Sequence, residues 1–139
     1  MPTFNTTFHV PVPPEEAFAF VTDPDNGTKW AGSPTSVRAE GEPGVGRQII
    51  ASVNMVISFE ITQTVTAWDP PSHYAFGATS PMTVAYDFRF TPEGDGTSIA
   101  CTIDVDAGRF LPGGNRLLKG RFRKEFDGDM ARLKAVLGG

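Results

Sequence analysis

Residues 82–90 read "MTVAYDFRF", and the fold turns on how they are taken. Met82, Val84, Tyr86, Phe88 and Phe90 occupy every second position, with Thr83, Ala85, Asp87 and Arg89 between them. Successive side chains on a strand point to opposite faces, so five large apolar groups share one side of a sheet. Either that side meets a solid core, or it walls a hollow.

The alternation continues in both directions. On the C-terminal side, "PEGDGT" (92–97) predicts a hairpin turning through Asp95-Gly96. A strand over 97–107 follows, with Ile99, Cys101, Ile103 and Val105 on one parity. On the N-terminal side, Asp69-Pro70-Pro71-Ser72 predicts a turn, and 73–79 a strand with Tyr74 and Phe76 on the covered side. Residues 47–68 contain no Gly or Pro and exceed an ordinary strand, so a tight turn is expected near Asn54. Past it, Met55, Ile57, Phe59, Ile61 and Val65 share one parity, and Ser58, Glu60, Thr62, Thr64 and Thr66 the other. That pattern suits a sheet covered on one face and wet on the other. Further strands are expected at 3–10, 35–40 and 47–53, the last two separated by the glycine-rich turn "GEPGVG" (41–46). Pro13 and Pro14 before Glu15 and Glu16 predict a short helix over about 14–21. Residues 24–33 read as a loop or broken helix, with Trp30 near its end.

The last element changes period. Residues 115–137 lack proline, and Leu118, Phe122, Phe126, Met130, Leu133 and Leu137 fall in one stripe at about 100° per residue. A helix of that length spans roughly 35 Å. The expectation is one α+β domain over 1–139. It has a curved seven-stranded antiparallel sheet, two short N-terminal helices, and one long C-terminal helix across a face. Seven strands twist, and the covered face becomes concave. One rod of ~10 Å diameter does not fill that concavity, so a cavity is expected.

Composition narrows the partners. A formal charge of −4 and a pI near 5.1 lack the basic footprint of a nucleic-acid or anionic-membrane binder. The run Lys119, Arg121, Arg123 and Lys124 is balanced by Glu125, Asp127 and Asp129, and reads as a solvated helix face. The single Cys101 cannot form an internal disulfide, which fits a reducing compartment. His9 and His73, the only histidines, have no ligand-forming residues at metal spacing, so neither metal nor cofactor is expected. No apolar run approaches the ~18–20 residues of a membrane span, and no signal-peptide pattern opens the chain. A cytoplasmic monomer or homodimer, without stable membrane insertion, is the expectation.

Four motifs then carry a resemblance. They are Pro14-Glu15-Glu16-x-Phe18-x-x-Val21-x-Asp23-Pro24 ending at Trp30; Asp69-Pro70-Pro71; Pro92 through Gly96-Thr97; and Met130-x-x-Leu133-Lys134. In that order and spacing the chain resembles the START-like (SRPBCC, Bet v 1-like) helix-grip superfamily over about residues 3–137. Within it, the chain is similar to small bacterial proteins of the polyketide cyclase/dehydrase type. The superfamily includes lipid carriers, hormone receptors, allergen-type binders, cyclases and cochaperone domains, so the fold does not fix the chemistry. The resemblance implies a cavity between sheet and C-terminal helix that holds a hydrophobic small molecule: a lipid, a quinone, or an aromatic or polyketide-like compound.

Parity and the helical stripe nominate the wall. Trp30, Met55, Phe59, Gln63, Tyr74 and Phe76 come from the N-terminal half; Tyr86, Phe88, Cys101, Leu118, Phe122 and Phe126 complete it. Gln63 is the polar exception on its strand, suited to orienting a ligand or closing the sheet's end. Tyr86 and Asp129 are the candidates for chemistry. A buried phenol donates a hydrogen bond to a carbonyl, or simply packs. Asp129 falls inside the apolar stripe, where a carboxylate must be paired or raised in pKa, unless it reaches solvent instead. Glu125 lies one turn before it. His73 beside its turn suits the surface. Three readings stay open: a non-catalytic binder, a polyketide aromatase/cyclase or dehydratase, and a protein-interaction module presenting Trp30 and Trp68.

Overall fold

The computed structural model describes residues 2–54, 57–108, 110 and 114–139, with backbone alone at 117 and 118. In chain order the elements are β1 (Thr3–Val10), α1 (Pro14–Thr22), a 3-10 turn (Pro24–Asn26) running into α2 (Gly27–Trp30), β2 (Pro34–Glu40), β3 (Gln48–Asn54), β4 (Ser58–Asp69), β5 (His73–Ala78), β6 (Thr83–Glu93), β7 (Gly96–Asp106) and α3 (Gly114–Val136). The strands form one antiparallel seven-stranded sheet in the order β1-β7-β6-β5-β4-β3-β2. Hairpins link β2 through β7 in succession, and β1 pairs with β7 at the far side. The α+β architecture of a curved sheet gripping one long helix is the expected one.

Local chemistry explains most boundaries. Pro13 and Pro14 open α1, and Glu15 and Glu16 complement its dipole in the first turn. Asp23 ends it and caps the next turn by accepting from the Asp25 N–H at 2.9 Å. The chain reverses where a turn is expected near Asn54, since β3 ends there and pairs antiparallel with β4 from Ser58, residues 55 and 56 between them lying outside the described residues.

Three details differ from the sequence reading. The β6–β7 hairpin turns through Gly94-Asp95, not Asp95-Gly96: Glu93 pairs with Gly96, and Gly94 takes the positive φ of 60°. Ile57 lies before β4 and is exposed, so the inward series starts at Phe59. A bulge between Val65 and Ala67 then shifts the parity, turning Trp68 inward against Phe18 and Tyr74 at centroid distances of 5.3 and 5.6 Å.

The opening question has a divided answer. Phe88 and Phe90 are fully buried, and Phe18 of α1 meets Phe90 edge-on at 5.5 Å. This end is solid, and each Phe removed from water there contributes about 1.5–3 kcal/mol. Across β5–β6 the register sets Tyr74 opposite Phe88 and Phe76 opposite Tyr86. From Tyr86 toward Met82 the same face opens onto empty space. On α3, Phe122, Phe126, Met130 and Leu133 are buried as the stripe predicts, as is Leu137 just past its end, while Val136 is exposed. Lys119, Arg121, Arg123 and Lys124 face solvent.

Candidate functional site

The hollow has two neighbouring compartments beneath α3 and α2 that share part of their wall. The larger, about 110 Å³, is walled by Phe59 and Ile61 of β4, Met82 and Tyr86 on the β6 side, Ile103 of β7, and Phe122 and Phe126 of α3. The smaller, about 70 Å³, lies toward Trp30, Ile49, Tyr74 and Phe76. Ala31, Pro34, Ala51, Gln63 and Tyr86 border both. Most of the lining is apolar, and each compartment is well below the ~300–1,000 Å³ of a typical ligand site. A dip of about 260 Å³ on the opposite sheet face is larger. It exists because Ala75, Gly77 and Ala85 carry little side chain, and it lies open to water beside Asp87 and Asp104.

Polar groups enter the hollow on one side. Asp129 is 6% exposed, and its Oδ1 accepts from the Gly32 N–H at 2.8 Å and from the Arg132 guanidinium. Burial raises its pKa from 3.8 to about 6, against the lowering effect of those two partners. Glu125, one turn earlier on α3, also borders the larger compartment and accepts a hydrogen bond from the Ser33 hydroxyl. Arg132 Nε donates to the Trp30 carbonyl at 3.0 Å. These contacts strap α3 to residues 30–33, across the rim of the larger compartment. Facing them is Tyr86, whose hydroxyl has no hydrogen bond among the described residues. Desolvation, then the Asp129 charge, holds that phenol well above its ordinary pKa. It is therefore a neutral donor at neutral pH. Gln63 is 8% exposed and its Oε1 has no partner among the described residues; Trp30 Nε1 is likewise unpartnered.

Of the residues nominated from sequence, Phe59, Gln63, Tyr86, Phe122 and Phe126 line the larger compartment. Trp30, Tyr74 and Phe76 line the smaller one. Phe88 and Cys101 line neither. They pair across β6–β7, and the Trp30 indole lies edge-on at 5.8 Å from the Phe88 ring. Parity names the face of a strand, not the position along it, and these two sit at the packed end. Burial keeps the Cys101 thiol protonated, its pKa raised far above the ordinary value. Met55 and the Leu118 side chain lie outside the described residues. Asp129 is turned inward rather than to solvent. His73 is partly buried on the outer sheet face, its Nε2 2.8 Å from Asp87 Oδ2. Neither Trp30 nor Trp68 forms an exposed patch; the exposed large apolar residues among those described are the scattered Val45, Ile57 and Val136.

Residues missed by sequence reasoning include Gly32, Ser33 and Arg132, along with the small wall residues Ala31, Pro34 and Ala51. Small side chains carry no periodic signal, and the strap joins positions about a hundred residues apart. Among the described residues no metal-binding cluster is formed, and no helix is long and apolar enough to cross a membrane.

Comparison with known proteins places this geometry. A family model described as polyketide cyclase/dehydrase and lipid transport matches residues 1–138. No curated protein matches by sequence. Among solved structures, TTHA0849 from Thermus thermophilus superposes with a TM-score of 0.78 at 18% identity, over 98% of this chain and 94% of that one. The di-domain ARO/CYC BexL from the BE-7585A biosynthetic pathway gives 0.73 at 15%, over 99% of this chain and 50% of that one. Ara h 8.0201 gives 0.70 at 15%, over 98% and 97%. At such identities the likeness speaks for the fold alone.

Proposed function

The chain belongs to the polyketide cyclase/dehydrase and lipid transport family, and we propose that it binds a hydrophobic small molecule in the hollow between sheet and α3. The observation carrying this reading is an apolar space between sheet and α3, partly open to solvent, into which a few polar groups are turned, where a packed core would have none. Apolar walls supply affinity by removing the guest from water, and Tyr86, Gln63 and Asp129 fix its orientation. Native mass spectrometry of protein from its own host tests it. A discrete small-molecule passenger released on denaturation supports the reading. Protein that is empty and also fails to take up aromatic probes opposes it.

A second reading, an aromatase/cyclase or dehydratase acting in the same hollow, is favoured by one observation. The pKa of Asp129, pushed up to about 6, lies close to the range in which a carboxyl group both gives and takes protons near neutrality. Tyr86, kept as a neutral phenol, would donate to a substrate carbonyl while Asp129 moves a proton at the adjacent carbon. Gln63 would hold the opposite end. On this reading turnover of a poly-β-ketone mimic falls by about 10²-fold or more in Asp129→Asn and Tyr86→Phe. Turnover unchanged in both rejects these residue roles.

A further inference from the structure

We propose that the guest is a compact, neutral ring compound presenting a hydroxyl hydrogen to the Asp129–Glu125 wall, and that anionic guests of the same shape are excluded. This rests on the reading of the hollow as a binding site and narrows what it takes.

Size comes first. A dry cavity of about 150 Å³ accepts one benzene ring. Neighbouring compartments of about 110 and 70 Å³ thus suit a single ring, or a compact two-ring compound that fills both, and not an extended acyl chain.

Charge comes second. The ionisable carboxyl groups bordering the two compartments are Glu125, Asp129 and, at the far rim, Asp23; among the described residues no Lys, Arg or His side chain borders either. Arg47, whose buried Nε is unpartnered among the described residues, acts on Tyr74 from behind the smaller compartment without bordering it, and the cations beside the two acids are engaged by them. Arg132 is about half exposed and holds Asp129 Oδ1 and the Trp30 carbonyl; Arg121, also exposed, lies 3.4 Å from Glu125 Oε1. A guest carboxylate would leave water for a space whose polar wall bears its own sign. Like charges brought together at a desolvated contact cost several kcal/mol.

Hydrogen-bonding capacity comes third: the larger compartment's polar wall points independently to a guest donor, while the unpartnered Trp30 Nε1 of the smaller compartment suits an acceptor such as the same guest's oxygen. Asp129 Oδ1 is occupied twice, whereas Oδ2 has no partner among the described residues. Gln63, more than nine-tenths buried and bordering both compartments, has an Oε1 unpartnered among the described residues. A buried acceptor without a donor carries a desolvation cost that a guest hydroxyl relieves. An uncharged phenol or enol donates its one hydroxyl hydrogen to one of these acceptors, Asp129 Oδ2 on the proposed wall, and its oxygen accepts in turn from the Tyr86 hydroxyl.

The test is a titration of the full chain at neutral pH with naphthol, naphthoate and naphthalene, followed by calorimetry and by amide chemical shifts. Naphthol is expected to bind saturably, with shifts at Gln63, Tyr86 and Phe126, and naphthoate at least roughly tenfold more weakly. In Glu125→Gln/Asp129→Asn the naphthol-to-naphthoate ratio is expected to fall several-fold. Glu125→Gln alone, which leaves the Gly32 and Arg132 contacts in place, gives a partial fall. Naphthoate binding as well as naphthol to the wild type, or a ratio unchanged in both variants, overturns the charge selection while leaving the binding reading intact. Failure of all three probes to bind folded protein overturns both.

Discussion

Asp129 occupies a position that a helical wheel assigns to an apolar side chain, and it stays there because Gly32 and Arg132 partly replace its lost hydration. The replacement is incomplete, since its pKa is raised from 3.8 to about 6, with Glu125 adding to the rise. The sign follows from proton uptake. Between those two values the folded chain binds more protons than the unfolded one, so stability rises as pH falls through the window. Above about 6 the carboxylate is ionised in both states and that stabilisation is gone. Wild type should therefore gain on Asp129→Asn as pH falls from neutral toward 4, by on the order of 2–3 kcal/mol, in denaturant unfolding at matched pH. A difference that stays flat across this range would mean that Asp129 is hydrated. The inward position of this residue was legible in the sequence, from about 100° periodicity alone. Its partners were not, because Gly32 and Arg132 meet only when α3 docks.

Among the elements, α3 and the sheet edge place the clearest demands on the sequence. The strap from α3 to residues 30–33 comprises the Asp129–Gly32 and Arg132–Trp30 contacts and the Ser33–Glu125 bond. Arg132→Ala removes the guanidinium link, at a cost of about 1 kcal/mol. Amide exchange at Gly32 should accelerate several-fold while the β6–β7 ladder keeps its protection, and equal acceleration in both would mean that the strap does not act locally. At the edge, a Cβ on Gly96 would lie 2.1 Å from the Val10 carbonyl oxygen, where β1 crosses the start of β7. Gly96→Ala is expected to destabilise by about 2–3 kcal/mol in denaturant unfolding, and a neutral result would show that β1 moves aside freely. Gly94 and Gly96 look alike in "PEGDGT", yet one supplies a positive φ and the other an absent side chain. Local sequence cannot separate these roles, which is why the hairpin turn was misplaced by one residue.

At the scale of the molecule, the sheet and α3 were readable because period-two and helical patterns persist over long runs. The hollow was readable only as a mismatch between a concave sheet and one rod. Its two compartments, and the division of "MTVAYDFRF" at Tyr86 between wall and packed core, depend on where α1 and α2 cap the sheet. Phe88 and Cys101 share parity with Tyr86 and Ile103, yet lie where the closing helices leave no space. The hollow is small, so its use as a binding site predicts compact guests and an affinity for larger ones that rises when the wall is trimmed. Phe122→Ala should enlarge the space and admit a larger fused ring, at a stability cost of about 3–5 kcal/mol. The central claim is that a guest occupies the space between sheet and α3, and intermolecular NOE spectroscopy on the full chain with naphthol tests it most directly. The ring protons are expected to contact Ile61, Tyr86 and Phe126 together. Contacts confined to the outer sheet face around Ala75 and Ala85, or none with naphthol in excess, would contradict it.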